Sequence, residues 1–114
     1  MNKLMIALLA GLVSLNAGAA GNAANGEQLA KKTCAACHAV NGDFNKPLMP
    51  DYPKLAGQHQ DYLVHALTAY KRGDAPNGRS NPIMGAQVKA LSDQEILDLA
   101  AYLHSLPSTL VSHR

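Results

Sequence analysis

The chain has 114 residues, of which 47% are apolar and 16% are charged, with four Tyr, one Phe and no Trp. One small domain fits this length, whereas two separate hydrophobic cores do not. The formal net charge is only +2, and no basic run or row of aromatic side chains is present, so nucleic-acid binding is excluded as the main function. Because large side chains are scarce, we expect a non-protein group to fill part of the core.

Residues 1–20 have the pattern of a secretory signal peptide. Lys3 provides a positive charge, residues 4–15 are almost wholly apolar, and small residues follow at 17–20. Twelve residues make about 18 Å of helix, well short of the roughly 30 Å hydrocarbon core, which favours cleavage over an uncleaved anchor. We therefore predict cleavage near Ala19 or Ala20, export to the periplasm, and a mature domain over residues 21–114 with no integral membrane anchor.

The first predicted helix closely follows the predicted cleavage site. Asn25 is a suitable N-cap, with Gln28 as its capping-box partner, and this predicts a helix that runs through Cys34. Residues 42–53 contain three prolines, so we expect a loop there.

Apolar residues at helical spacing predict a second helix over residues 58–72, which ends at Gly73. Residues 74–82 are polar and contain glycine and two prolines, and they are expected to form a loop. A shorter helix is predicted over residues 86–91.

The clearest helix signal lies near the carboxyl end. Ser92 and Glu95 form a predicted capping box, an apolar stripe follows, and Pro107 ends the helix. No segment alternates between apolar and polar residues with a period of two. The sequence therefore predicts an all-α fold.

Cys34, Cys37 and His38 form the C-x-x-C-H signature of covalent haem attachment. Two intervening residues on a helical turn separate the thiols suitably for the two haem vinyl groups, and His38 then projects onto the iron. A structural zinc site needs four ligands, and the sequence has no second Cys pair. A thioredoxin-like redox pair requires a βαβ context, and a plain disulfide here would be short and strained. The motif thus predicts one covalent haem c.

From Gly26 to about Leu106 the chain resembles the class I c-type cytochromes, in particular small bacterial monohaem proteins similar to one half of the dihaem cytochromes c (c-553 or c4-like). The resemblance implies about four helices wrapped around the haem. It also implies that Gly26 lies against the last helix near Leu99 and Tyr102. Many relatives have an aromatic residue four positions before the first Cys, where this chain has Ala30, which implies a looser helix contact.

Two methionines of the mature chain are candidates for the sixth iron ligand. Met49 lies only eleven residues after His38, in a loop expected on the proximal side, and we interpret it as core filler. Met84 precedes the final helix and can approach from the opposite face. The run 79–84 also resembles the Arg-x-Asn-x-x-Met ligand loop of the family, so we predict Met84 as the distal ligand, which raises the reduction potential.

The resemblance implies three further roles near the haem. The segment 52–58 resembles the proline loop of the family, in which the Pro53 carbonyl accepts the Nδ1 proton of His38. Asn81 is implied to hydrogen-bond near the Met84 sulfur, and Arg79 to pair with a haem propionate. A solvated loop is the alternative for both Asn81 and Arg79.

The remaining polar residues are expected to have no chemical role. Four histidines are expected at the surface: His59, His65, His104 and His113. Four lysines near the haem-attachment motif are expected to form a solvated face rather than a docking ring: Lys31, Lys32, Lys46 and Lys54. Tyr62 and Tyr70 are expected to pack against the haem or the core.

These predictions describe a soluble periplasmic one-electron carrier rather than an enzyme. It would take electrons from a dehydrogenase or quinol-oxidising complex and pass them to a terminal oxidase or reductase, as a monomer or weak dimer with redox proteins as partners. One alternative is a haem subunit bound permanently to an oxidoreductase, such as a flavocytochrome c sulfide dehydrogenase. Another is a peroxidase or gas sensor with an open iron position.

Overall fold

The computed structural model describes residues 21–110, which form a helical domain; the predicted signal peptide lies outside this range. The first helical stretch has three parts, and three helices follow it after loops. The only strand-like pairing among the described residues is an isolated bridge between Val40 and Asp43. The all-α prediction is confirmed. The elements are α1 (Ala23–Leu29), a π-helical segment (Ala30–Cys34), α2 (Ala35–His38), α3 (Gln60–Arg72), α4 (Pro82–Val88) and α5 (Asp93–Ser105).

The first helix begins before the predicted cap. Asn22, not Asn25, is the N-cap, and its side-chain oxygen accepts a hydrogen bond from the Asn25 backbone N–H at 3.1 Å. Asn25 instead lies in the first turn, and its side-chain Nδ2 donates to Asp98 Oδ2 at 2.6 Å. Both asparagines suit a cap locally, and the carboxylate on α5 takes Asn25 out of that role.

The π-helical segment Ala30–Cys34 has no counterpart in the sequence prediction. It is closed by a hydrogen bond from the Ala35 N–H to the Ala30 carbonyl, five residues back. One extra residue in the turn rotates everything after it by about 100° relative to an uninterrupted α-helix. The faces that α1 and α2 bury are therefore set separately, with Gly26 buried on α1 before the shift and His38 buried on α2 after it.

Helices α1 and α5 meet at Gly26. A Cβ added to Gly26 would lie 1.9 Å from the Asp98 carbonyl oxygen and 2.9 Å from the Tyr102 Cβ, so no side chain fits there. The buried stripe of α5 includes Leu99, which is 1% exposed. The close contact between Gly26 and the last helix, which the resemblance implied, is confirmed.

The aromatic partner of α5 comes from a loop rather than from α1. Ala30 is fully buried, and the Phe44 ring meets the Tyr102 ring edge-on, with the centroids 6.3 Å apart and an interplanar angle of 87°. The small residue at position 30 is thus accompanied by a ring from the loop after the C-x-x-C-H motif.

Helix α3 ends as predicted, but α4 begins earlier than predicted. Gly73 is the C-cap of α3, with a φ of 58°. Helix α4 begins at Pro82, because Asn81 caps it and proline is pre-organised for the first helical position. The predictions of a loop through Pro82 and of a short helix over residues 86–91 are therefore wrong at their boundaries.

Helix α5 begins at the predicted capping box. The Ser92 side chain accepts from the Glu95 N–H at 3.1 Å, and the Glu95 carboxylate accepts from the Ser92 N–H at 3.0 Å. The Lys71 ammonium donates to the Leu91 carbonyl, which ties the end of α3 to the turn before α5. Within residues 21–110 no helix has the length and apolarity needed to cross a membrane.

Candidate haem-attachment site

The C-x-x-C-H motif lies on continuous helix. Cys34 closes the π-helical segment, and Cys37 and His38 belong to α2. Both thiols are free and half-buried. Burial raises the pKa of the Cys34 thiol to about 11, so it is protonated at neutral pH. Because Cys34 and Cys37 are three residues apart on continuous helix, the two sulfurs lie on adjacent turns, as the spacing predicted.

The His38 imidazole is buried, with 7% of the residue exposed, and its orientation is fixed by a hydrogen bond. Its Nδ1 lies 3.0 Å from the Pro53 carbonyl oxygen. Because a carbonyl can only accept, Nδ1 carries the proton in this bond, and in the neutral ring Nε2 keeps its lone pair. The hydrogen bond that the resemblance implied is present, and it leaves Nε2 as the nitrogen able to bind a metal ion.

The loop after α2 is attached to the site. The Leu48 N–H donates to the Cys37 carbonyl at 3.0 Å, and the Tyr52 ring lies 6.0 Å from the His38 ring, centroid to centroid. Neither residue was singled out from the sequence, although Tyr52 lies in the proline-loop segment that was. Met49 is 47% exposed, so its interpretation as core filler is wrong. It lies in a surface turn that is closed by a hydrogen bond from the Tyr52 N–H to the Met49 carbonyl at 3.0 Å.

Met84 lies in the first turn of α4 rather than in a loop. It is half-buried and packs against the hydrophobic core. Its backbone N–H donates to Asn81 Oδ1 at 3.0 Å, and the Ile83 N–H donates to the same oxygen at 3.1 Å. The contact shown for Asn81 is thus with the Met84 backbone, and this cap fixes where the Met84 side chain leaves the helix.

Arg79 is engaged by aromatic rings. It is half-buried, and its guanidinium lies over the rings of Tyr62 and Tyr70, 5.9 Å and 5.4 Å from their centroids. These are cation–π distances. A fully solvated Arg79 side chain is therefore not what the structure shows. Tyr70 packs against the core as expected, whereas Tyr62 is 47% exposed.

The donor set on and beside α2 fits a covalently attached haem. Two free thiols separated by two residues on one helix suit two thioether bonds, and an imidazole with its Nδ1 proton held by a backbone carbonyl suits an axial iron ligand. Residues 21–110 contain no group of three or more His, Cys, Asp or Glu able to hold a metal ion on their own.

The other histidines and lysines lie on the surface. His59 and His65 are exposed, and His104 is exposed while its Nδ1 donates to the Gln58 carbonyl at 2.8 Å. His113 lies outside the described residues. Lys31 and Lys46 pair with acidic neighbours: Lys31 lies 2.6 Å from Glu27 and Lys46 lies 3.6 Å from Asp43. These short-range pairs agree with a solvated surface.

Comparisons with known proteins agree with this site. The family model described as cytochrome c matches residues 23–107. Cytochrome c4 of Thiocapsa roseopersicina is 42% identical over 89 residues, which cover 78% of this chain and 42% of that protein. Cytochrome c-554(548) of Halomonas halodenitrificans is 41% identical over 86 residues, covering 75% of this chain and 98% of that protein.

A solved structure shows the same fold. The crystal structure of reduced recombinant cytochrome c4 from Pseudomonas stutzeri matches with a TM-score of 0.68 and 36% identity, over 80% of this chain and 48% of that one. The chain spans about half the length of the cytochromes c4 that it matches. Fold, motif and relatives agree, and the chain belongs to the cytochrome c family of electron-transfer proteins, whose members bind haem c covalently.

Proposed function

We propose that this protein is a periplasmic one-electron carrier in which Cys34 and Cys37 attach one haem c and in which His38 and Met84 are the axial ligands. The observation that carries the proposal is the hydrogen bond from His38 Nδ1 to the Pro53 carbonyl, beside two free thiols on the same helix. This bond selects the tautomer and the orientation that an iron-binding histidine requires.

Each side chain has a defined task in this proposal. Bound haem c supplies an iron that accepts one electron from a reduced protein and gives one electron to an oxidised protein. The Pro53 carbonyl keeps the proton on Nδ1 and makes the His38 ring a better donor. The Met84 thioether, held at the first turn of α4, favours the ferrous state and so raises the reduction potential. His38 and Met84 would together hold the iron from both sides and leave no position for a substrate, so we propose an electron carrier rather than an enzyme.

The charge distribution supports docking that depends little on electrostatic attraction. The proposed mature domain, residues 21–114, contains nine Lys and Arg and eight Asp and Glu, so its formal net charge is only +1. Donor and acceptor are then selected by contact rather than by long-range steering. We propose a dehydrogenase or quinol-oxidising complex as donor and an oxidase or reductase as acceptor, in the compartment to which the signal-like residues 1–20 direct the chain.

The attachment is tested by mass spectrometry of the purified protein. We expect the polypeptide to carry the added mass of one haem, and the variant with Cys34→Ser and Cys37→Ser to carry none. A wild-type chain without this mass would overturn the proposal.

The distal ligand is tested by Met84→Ala, with Met49→Ala as the matched control. We expect Met84→Ala to abolish the near-infrared sulfur-to-iron band of the ferric protein and to let the ferrous protein bind carbon monoxide. Met49 is half exposed in a surface turn, so Met49→Ala should leave both properties as in the wild type. If Met84→Ala keeps the band, the assignment of the distal ligand is wrong.

A further inference from the structure

The segment between α3 and α4 is folded back onto α3. The Arg79 N–H donates to the Ala69 carbonyl at 2.9 Å, and the Gly78 N–H donates to the Ala75 carbonyl at 2.9 Å. A Cβ on Gly78 would lie 2.1 Å from the Gly73 carbonyl oxygen, so the backbone at Gly78 packs closely against the backbone at Gly73. The backbone at Arg79 is therefore attached to the last turns of α3.

The side chain of Arg79 makes a second attachment to the same helix. Tyr62 and Tyr70 are eight residues apart on α3, just over two turns, which places both rings on one side of the helix. The guanidinium lies within 6 Å of both ring centroids. A planar cation between two rings has a defined place, unlike a side chain in solvent. We call Arg79, Tyr62 and Tyr70 the arginine clamp.

A short, rigid path joins the clamp to Met84. Asn81 follows Arg79 by two residues; its side-chain oxygen accepts from the Met84 N–H at 3.0 Å, and its carbonyl accepts from the Gly85 N–H at 2.8 Å. Pro82 restricts the backbone between Asn81 and Met84. If Arg79 leaves α3, the cap and the first turn of α4 lose their attachment at that end.

We propose that Arg79 is a positioning residue that acts through Tyr62 and Tyr70 to keep the Met84 sulfur in place. The proposal rests on the proposed function, because it takes Met84 as an iron ligand. An external ligand can bind the iron only while the methionine is displaced, so its apparent affinity is proportional to the population of the displaced state. Weakening the clamp raises that population without removing the ligand.

The test is a titration of the ferric holoprotein with imidazole, followed by visible absorption and by the sulfur-to-iron band. Arg79→Gln removes the cation, and Tyr62→Leu removes one ring while keeping the charge of Arg79. Tyr62 is 47% exposed, so this substitution spares the core. Arg72→Gln is the control for charge, because Arg72 is exposed at the end of α3. The double variant Arg79→Gln with Tyr62→Leu tests whether both residues act together.

We expect Arg79→Gln and Tyr62→Leu each to bind imidazole about 3- to 10-fold more tightly than the wild type, within the range of cation–π contacts. The sulfur-to-iron band should persist in both without imidazole, and the double variant should bind no more tightly than Arg79→Gln alone. Arg72→Gln should match the wild type.

Three results would overturn the inference. If Arg79→Gln and Tyr62→Leu both bind imidazole with wild-type affinity, the clamp does not position Met84, although Met84 can still be the ligand. An effect of Arg79→Gln without one of Tyr62→Leu means that Arg79 acts through its charge, for instance on a propionate, and not through the rings. If the sulfur-to-iron band survives Met84→Ala, then Met84 is not the iron ligand, and both the proposed function of Met84 and the inference about Arg79 are wrong.

Discussion

The contact between α1 and α5 and the contact between α3 and α4 hold the molecule in different ways. At the first contact, two helices approach so closely at Gly26 that a single methyl group would meet the backbone of α5. A buried carboxylate, Asp98, binds the start of α1 there, and it lies 73 positions from Asn25 in the chain. At the second contact, one arginine, two rings and a helix cap place a short helix.

The difference separates stability from ligand control. Damage at α1–α5 disrupts packing between distant parts of the chain, so it lowers the free energy of unfolding of the whole domain. Damage at the arginine clamp affects residues that are close in sequence, so it changes the position of Met84 while the domain stays folded. The following predictions test this separation by the stability of the folded domain, from the largest expected effect to the smallest.

Gly26→Ala should have the largest effect on stability. The new Cβ would lie 1.9 Å from the Asp98 carbonyl oxygen, and neither helix backbone can move without disturbing the core. We expect the free energy of unfolding to fall by about 3 kcal/mol. Chemical denaturation followed by far-ultraviolet circular dichroism measures this loss.

Gly85→Ala is the matched control at the other contact. Gly85 lies inside α4, and an added Cβ would be 3.7 Å from the Tyr70 carbonyl oxygen, an ordinary van der Waals distance, so alanine should leave the stability unchanged or raise it by up to about 1 kcal/mol. Equal losses from the two substitutions would contradict the distinction between the two contacts.

Asp98→Asn should have the next largest effect. Asp98 Oδ1 accepts from the Asn22 N–H at 2.6 Å and from Gln94 Nε2 at 2.9 Å, while Oδ2 accepts from Asn25 Nδ2 at 2.6 Å. The side-chain amide of asparagine has an NH2 group in place of one carboxylate oxygen, so it cannot accept all three of these hydrogen bonds. We expect a loss of about 2 kcal/mol, against no more than about 0.5 kcal/mol for Asp93→Asn at the exposed start of α5.

The same carboxylate makes stability depend on pH. Burial pushes the pKa of Asp98 upward, but the hydrogen bonds it accepts outweigh burial and hold the pKa below its ordinary value. The unfolded chain then binds the proton more readily than the folded chain. The stabilisation is complete above the ordinary Asp pKa of about 4 and is lost as the pH falls through the lowered pKa.

Asp98→Asn should therefore flatten the acid side of the stability profile. The pKa of Asp43 is also lowered, mainly by the hydrogen bond from the backbone N–H of Asn45, but this contribution is common to both proteins and cancels in their difference. Denaturation curves measured across the acid range test this prediction. Parallel profiles of wild type and variant would show that Asp98 does not carry the effect.

Ser92→Ala should have the smallest of these effects. It removes the acceptor for the Glu95 N–H and opens the capping box of α5, which costs about 1 kcal/mol. Ser92→Asp keeps an acceptor at the cap and should retain most of the stability. A loss in Ser92→Asp as large as in Ser92→Ala would mean that the cap is not what Ser92 contributes.

Sequence reasoning succeeded where the signal was local. The C-x-x-C-H motif, the capping box at Ser92 and the end of α3 at Gly73 each depend on residues within one or two turns, and each is where the sequence predicted it. The hydrogen bond between His38 and Pro53 followed from a family resemblance over fifteen positions.

Sequence reasoning failed where two local solutions competed. Asn22 and Asn25 are both good N-caps, and Asp98 on a distant helix binds Asn25, so the helix starts at the earlier site. Pro82 is a loop residue by composition, yet behind the Asn81 cap it is a good first residue of a helix. A lone carboxylate beside the apolar stripe of α5 was the available signal for Asp98.

The order of the residues by itself determined the helical class, the haem-binding motif and the family, because these depend on short-range spacing and on side-chain chemistry. The tertiary structure alone decided which asparagine caps α1, where the π-helical turn shifts the face of the motif, and what holds Arg79. The cap depends on Asp98, which lies 73 positions from Asn25, and Arg79 reaches the rings of Tyr62 and Tyr70 only because the segment after α3 folds back onto that helix.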